Sequence, residues 1–274
     1  MTSPKPSDIH YAEKIRTLEL PEHKLPGINL DLKTQLDWIH QLSQEFTNSR
    51  MTFPKHRNTN TLYYFENDWY SYSDALIFSS MILKLRPHLI IEIGSGYSSC
   101  VAIDTIKHIQ QTDPQYQCRC IFIEPNPQRL RQLLNSASVN LDNITIIEQP
   151  LQNVDEKIFN QLTANDILFV DSSHMSQIGS DVNMEVFRIY PRVNQNVYIH
   201  IHDMFWPFEY PQDWIKRGWY WNEQYLIRAF LQYNTAFEIV CFLHYLWIHA
   251  PQEMESAYPL GKNNFGGGLW LKKV

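Results

Sequence analysis

Two short stretches hold the side chains best suited to chemistry. Asp171-Ser172-Ser173-His174 directly follows the apolar run Ile167–Val170, and His200-Ile201-His202-Asp203 closes the run that begins at Val197. Each run reads as a buried strand, so both groups fall at strand ends. If the strands are neighbours in one parallel sheet, the groups open at the same mouth. His200 and His202 share a strand face, and only His202 reaches the tip. Two carboxylates with one or two imidazoles suit a divalent metal with open positions, in the manner of iron, manganese or zinc sites. Asp171, His202 and Asp203 are the expected ligands, with His174 either a further ligand or a general base, because imidazole titrates near neutrality. Asp171 and His174 are therefore the expected catalytic pair. The alternatives are a metal-free Asp171 that accepts a hydrogen bond from a ligand ammonium and a metal-free His174. His200 reads as a satisfied core histidine.

These groups need elements that hold them. Strands are expected over Leu89–Ile93, Arg119–Ile123, Ile144–Glu148, Ile167–Val170, Val197–His202, Phe237–Phe242 and Gly268–Leu271. Helix signals lie between the first five. Ser98 to Ile109 is helix-like, Asn126-Pro127 opens a segment with Leu130, Leu133 and Leu134, and Ser180-Asp181 starts one closed by Pro191. Alternating units with continuous apolar strands imply a parallel sheet covered on both faces. Before them, Asp31 opens an amphipathic helix with Leu32, Leu36, Ile39, Leu42 and Phe46, and Ser73-Asp74 opens another that ends near Leu85. Pro4, Pro6, Pro21 and Pro26 predict an extended arm over residues 1 to 30.

The first strand runs into Glu92-Ile93-Gly94-Ser95-Gly96. A strand that ends in Gly-x-Gly and turns into a helix brings backbone close to a ligand. Glu92 stands two places before the first glycine, where a carboxylate repels pyrophosphate and welcomes a cation, which favours S-adenosylmethionine over a dinucleotide. Ser99 takes the place of a third glycine, a departure from the dinucleotide pattern. Glu124 ends the second strand, where a carboxylate can accept from both ribose hydroxyls. Gln152, in the exit from the third strand, could offer an amide to an adenine edge. The expected cofactor contacts are therefore Glu92, Gly94, Ser95, Gly96, Glu124, Gln152 and Asp171.

Composition limits the partners. The 274 residues are 44% hydrophobic, enough for one large domain with an appendage. The 23 Lys and Arg against 29 Asp and Glu give a net charge of −6, with no long basic run, which disfavours nucleic acid and anionic membrane. Cys100, Cys118, Cys120 and Cys241 have no zinc spacing and read as reduced, mostly buried thiols of a cytoplasmic protein. No apolar signal core or bilayer-length segment is present.

On the turn motif, Glu124 and Asp171, residues 72 to 274 resemble a class I S-adenosylmethionine-dependent methyltransferase. The resemblance implies an α/β fold: a Rossmann-like, seven-stranded, mostly parallel sheet with helices on both faces and an antiparallel seventh strand. Residues 1–71 would form an N-terminal arm and helical cap, and an aromatic-rich insertion would lie between strands five and six. The strand-end acids also resemble those of metal-dependent catechol O-methyltransferases. There an acid after strand four and an acid–amide pair after strand five hold magnesium. Here His202-Asp203 replaces the pair, which shifts preference toward a softer metal. A looser resemblance to mononuclear-iron C-methyltransferase domains of polyketide synthases adds only the idea of a metal.

The aromatic insertion holds Trp206, Phe208, Tyr210, Trp214, Trp219, Tyr220, Trp221 and Tyr225. These residues either line an acceptor site or form a satellite core. Tyr63, Tyr64, Phe65, Trp69, Tyr70 and Tyr72 either close over the methyl donor or anchor the N-terminal helix. The expected reaction is methyl transfer to a small natural-product acceptor, with an oxygen preferred. A carbon acid or carrier-bound acyl thioester, with a metal to hold its enolate, is the alternative. A NAD-linked oxidoreductase and a non-catalytic scaffold are the readings from other classes. The four convergent titratable residues argue against a scaffold, and cofactor titration separates the oxidoreductase.

Overall fold

The computed structural model describes residues 5–135 and 142–274. The first four residues of the expected arm lie outside the described residues. Most of the remaining arm is helix α1, Pro6–Glu19, a correction to the extended reading. The reason is local: Pro6 occupies the first helical position, where a missing N–H costs nothing. The helix is then tied down from afar. Arg228 grips the Glu19 carboxylate with both terminal nitrogens, at 2.8 and 3.0 Å. Trp206 donates its indole N–H to Leu20 O at 2.9 Å.

Helix α2, Leu32–Ser49, begins where expected, with the Asp31 carboxylate accepting from Thr34 N. Helix α3, Ser73–Leu85, is buried almost throughout. The alternating part follows as β1 Leu89–Ile93, α4 Tyr97–Thr112, β2 Arg119–Ile123, α5 Gln128–Leu134 and β3 Ile144–Ile147. It continues as β4 Ile167–Val170, α6 Asp181–Met184 and β5 Tyr198–Ile201. A π-helical stretch, Glu185–Ile189, extends α6. The insertion contributes α7 Gln212–Lys216 and α8 Glu223–Leu231. Then come β6 Phe237–Phe242, α9 Leu243–His249, α10 Pro251–Ala257 and β7 Leu269–Lys273.

The seven strands form one sheet in the order β3-β2-β1-β4-β5-β7-β6. The first five pair in parallel, and β7 is antiparallel to both β5 and β6. Every residue of β1, β4 and β5 is buried, as expected for strands covered on both faces. The chain reverses its order at β1, so β1 and β4 leave a crevice at their carboxyl ends. One continuous core joins Leu25, Ile39, Tyr63 and Phe65 of the N-terminal elements to the sheet residues. All four cysteines are buried and unpaired, as expected. No helix among the described residues is long and apolar enough to cross a membrane.

Candidate active site

The crevice holds a cavity of about 560 Å³. It is lined by the turn, Gly94 to Ser98, with Glu124 and Arg129. Asp171, His174, His202 and Asp203 line it too, with Trp214, Trp219 and Trp221. Asp68, Trp69 and Tyr70 close the rim.

The turn differs in detail from its sequence reading. Gly94 has φ +77°, and a Cβ there would lie 1.8 Å from Asp171 O. This glycine is required because β1 and β4 exit shoulder to shoulder. Gly96 is in extended backbone, and a Cβ there would meet only the Arg129 side chain, at 3.6 Å. Its missing side chain leaves room in the cavity itself. The turn's amides were expected to face a ligand, but they are spent within the protein. Gly94 N donates to Ile123 O at 2.9 Å, Ser95 N to Glu124 Oε2 at 3.2 Å, and Gly96 N to Ser99 Oγ at 3.1 Å.

Glu92 does not line the cavity. Its carboxylate is fully buried and accepts hydrogen bonds from Ser98 Oγ and from Ser99 Oγ, the latter at 2.7 Å. Burial pushes its pKa up to about 8, against the pull of the two serines. It therefore braces the start of α4 and does not sit beside a ligand as expected. Gln152 is also displaced: it donates to Gly179 O at 3.0 Å and lines a separate surface hollow of about 750 Å³ with Met184, Phe187 and Arg188. Glu124 does line the cavity, with Ser95 N and Asn126 N on its two oxygens, and each oxygen keeps a lone pair for a ribose hydroxyl.

In the same cavity the two strand-end groups converge as expected. Ligand atoms of Asp171, His202 and Asp203 lie within 4.8 Å of one another. His202 Nε2 is 3.4 Å from Asp203 Oδ1. One imidazole and two carboxylates at this spacing fit a divalent ion that takes nitrogen and oxygen ligands. His174 is not part of this trio. Its Nδ1 is 2.8 Å from Glu223 Oε2, while its Nε2 is 3.2 Å from Asp171 Oδ1 and 3.5 Å from Asp203 Oδ2. Burial works against charge on this ring, but the bonds to Asp171 and Glu223 and the field of Asp203 outweigh it and raise the pKa well above its ordinary value. Among three carboxylates the ring holds its proton more tightly than a free imidazole does. That weighs against the reading as a metal-free base, which rested on the ring's ordinary titration near neutrality.

The same neighbours act on the acids. Burial alone would raise Asp171, but His202 and then His174 bring its pKa down to about 2. Burial raises Asp203 despite both histidines. His174 and Asp203 both have left-handed backbone, φ +57° and +58°, an uncommon conformation for non-glycine residues that concentrates at functional sites. His200 is buried against Phe169 and Trp270, with ring centroids at 4.2 and 4.8 Å. Burial lowers its pKa well below the ordinary value, so it is a neutral core residue, as expected. It is not a satisfied one: neither ring nitrogen has a hydrogen-bond partner among the described residues.

Glu223 was not anticipated as part of the site. The pair Asn222-Glu223 was legible only as a helix start. In the fold it clamps the β4 loop: Asn222 N and Glu223 N both donate to His174 O, and Asn222 exchanges two hydrogen bonds with Ser176. Gln224 Oε1 accepts from Phe205 N and ties down the loop after β5. One turn of the insertion thus fixes both loops that carry the acids.

The aromatic residues divide between the two roles considered for them. Trp206, Phe208 and Tyr210 are buried. Trp214, Trp219 and Trp221 line the cavity, with Trp219 and Trp221 stacked at 5.4 Å and Trp221 against His174 at 4.8 Å. Before β1, Tyr63, Phe65, Tyr70 and Tyr72 are buried, whereas Trp69 is 62% exposed at the rim.

Residues 91–204 match the family model described as a methyltransferase domain. That segment runs from β1 through β5 and carries both halves of the site, so the likeness to a methyltransferase domain covers the part of the chain that holds the cavity. An uncharacterized protein of Archaeoglobus fulgidus is 29% identical over 144 residues, 53% of this chain and 62% of that protein. The chain thus spans less than two thirds of that relative. Three solved structures are similar at low identity. One is described as a Plasmodium falciparum protein-L-isoaspartate O-methyltransferase in complex with S-adenosyl-L-homocysteine, with 12% identity, TM-score 0.33, and 71% of this chain and 83% of that one covered. Another is described as a Thermobifida fusca methyltransferase, with 16%, 0.42, 73% and 81% respectively. Coclaurine N-methyltransferase bound to N-methylheliamine and S-adenosyl-L-homocysteine gives 11%, 0.33, 98% and 94%.

Proposed function

We propose that this protein is a methyltransferase that uses S-adenosylmethionine to methylate an oxygen of a small natural-product acceptor, with a divalent ion at Asp171, His202 and Asp203. One observation carries the reading: the glycine turn and the acid–imidazole trio line the same 560 Å³ cavity. Glu124 meets the ribose of the donor, and the space beside Gly96 admits it. When bound, the donor supplies a methyl on a sulfonium, and the ion lowers the pKa of an acceptor hydroxyl. The chain's own residues do the rest. Trp214, Trp219 and Trp221 give the acceptor a flat apolar wall and exclude water. Asp171, His202 and Asp203 would hold the ion, and Asp203 would orient the acceptor hydroxyl beside it. His174 stays protonated and, held by Glu223, balances the charge of the two aspartates. Alignment and a dry pocket account for most of the rate, because the donor loses its charge as it reacts.

The test is methyl transfer followed by mass spectrometry over a panel of phenols, catechols and acyl thioesters, with and without added iron, manganese or magnesium. Methylation of a hydroxyl acceptor that EDTA suppresses supports the whole reading. Turnover indifferent to EDTA removes the ion. No binding of S-adenosylhomocysteine at millimolar concentration rejects the methyltransferase.

A further inference from the structure

Among the described residues Arg129 is the only arginine or lysine that lines the cavity, which the acids Asp68, Glu124, Asp171 and Asp203 also line. Its guanidinium carbon lies over the exposed Trp69 indole, 3.8 Å from the ring centroid. No carboxylate pairs with it among the described residues. Its Cδ and Nη1 stand 3.6 and 3.8 Å from where a Cβ on Gly96 would lie, so it overhangs the empty space of the turn.

The donor brings one carboxylate into this acidic cavity along with its ammonium and sulfonium. The three turn amides that could have met an anion are already bonded to Ile123 O, Glu124 and Ser99. What remains on that side is Arg129 and the Ser95 hydroxyl, which has no partner among the described residues. The positive end of α4 opens at the same glycine.

We infer that the Trp69–Arg129 lip is the carboxylate subsite for the methyl donor. Trp69 holds the guanidinium plane across the mouth, and the planar fork takes the carboxylate in a bidentate pair. The inference rests on the reading of the cavity as a S-adenosylmethionine site.

Calorimetric titration of the full chain with S-adenosylhomocysteine and with its decarboxylated analogue tests it. Wild-type protein prefers the carboxylate-bearing ligand. Arg129→Met weakens S-adenosylhomocysteine about tenfold and leaves the analogue unchanged, so the preference disappears. Trp69→Ala gives a smaller loss, about threefold, again for the carboxylate-bearing ligand only. Equal weakening of both ligands by Arg129→Met, or of neither, overturns the assignment. Wild-type protein that binds neither ligand fails the reading of the cavity, and the inference falls with it.

Discussion

At Gly94 and Gly96 the same residue type answers two different needs. A side chain on Gly94 collides with Asp171 O and forces a left-handed φ on a residue that resists it. Gly94→Ala is therefore expected to destabilise the fold by about 3 kcal/mol or more, read as a fall in thermal midpoint. Gly96→Val should leave the midpoint nearly unchanged and abolish S-adenosylhomocysteine binding, because its side chain points into free space. Normal binding by Gly96→Val would place the donor elsewhere. Glu124→Ala removes the acceptor for ribose and should weaken S-adenosylhomocysteine by about 1–3 kcal/mol in calorimetry. An unchanged affinity would move the ribose. Residue types and spacing made these positions legible: Gly94, Gly96, Glu124, Asp171, His202 and Asp203 all line the cavity. What they could not convey is direction. Glu92 alternates away from the cavity and bonds to the next helix. His174 is recruited by Glu223, 49 positions later, a contact that only the folded chain creates.

At the scale of elements, the strands were legible because each is a short apolar run bounded by a turn. Helix α1 was not, since a proline-rich, weakly amphipathic segment starts on Pro6 and is then held by the distant Arg228–Glu19 and Trp206–Leu20 contacts. The rim segment before α3 shows the same dependence. Its start hangs on one buried carboxylate, Asp104 of α4, which accepts from Leu62 N at 2.9 Å and Tyr63 N at 2.8 Å. Asp104→Asn turns an amide N–H toward those donors. Faster hydrogen exchange at Leu62 and Tyr63, with a few-fold weaker S-adenosylhomocysteine binding, is the expected outcome. Unchanged exchange would mean that aromatic packing alone holds the segment.

For the whole molecule, buried carboxyls shape the response to pH. Burial raises Glu92 to about 8 and Asp74 and Asp104 to about 6, each above its ordinary value. The folded state then binds more protons than the unfolded one between the ordinary carboxyl range and these values, so stability falls as pH rises. Burial lowers His244 and His249 to about 4, which opposes that slope below their ordinary value of 6.5 but not above it. The thermal midpoint should therefore decline between about pH 6.5 and 8, through Glu92 and through His174, whose raised pKa acts in the same direction. Glu92→Gln should flatten that limb. A limb of the same steepness in the variant would assign it to other groups.

Four of the eight tryptophans, Trp69, Trp214, Trp219 and Trp221, border the cavity, while Trp206 and Trp270 are sealed in the interior. The molecule thus carries its own optical probe. Entry of a purine or an aromatic acceptor will quench or shift the emission of the bordering indoles and leave the sealed pair as an internal reference. Occupancy can be followed in real time without a label, before the acceptor has been identified.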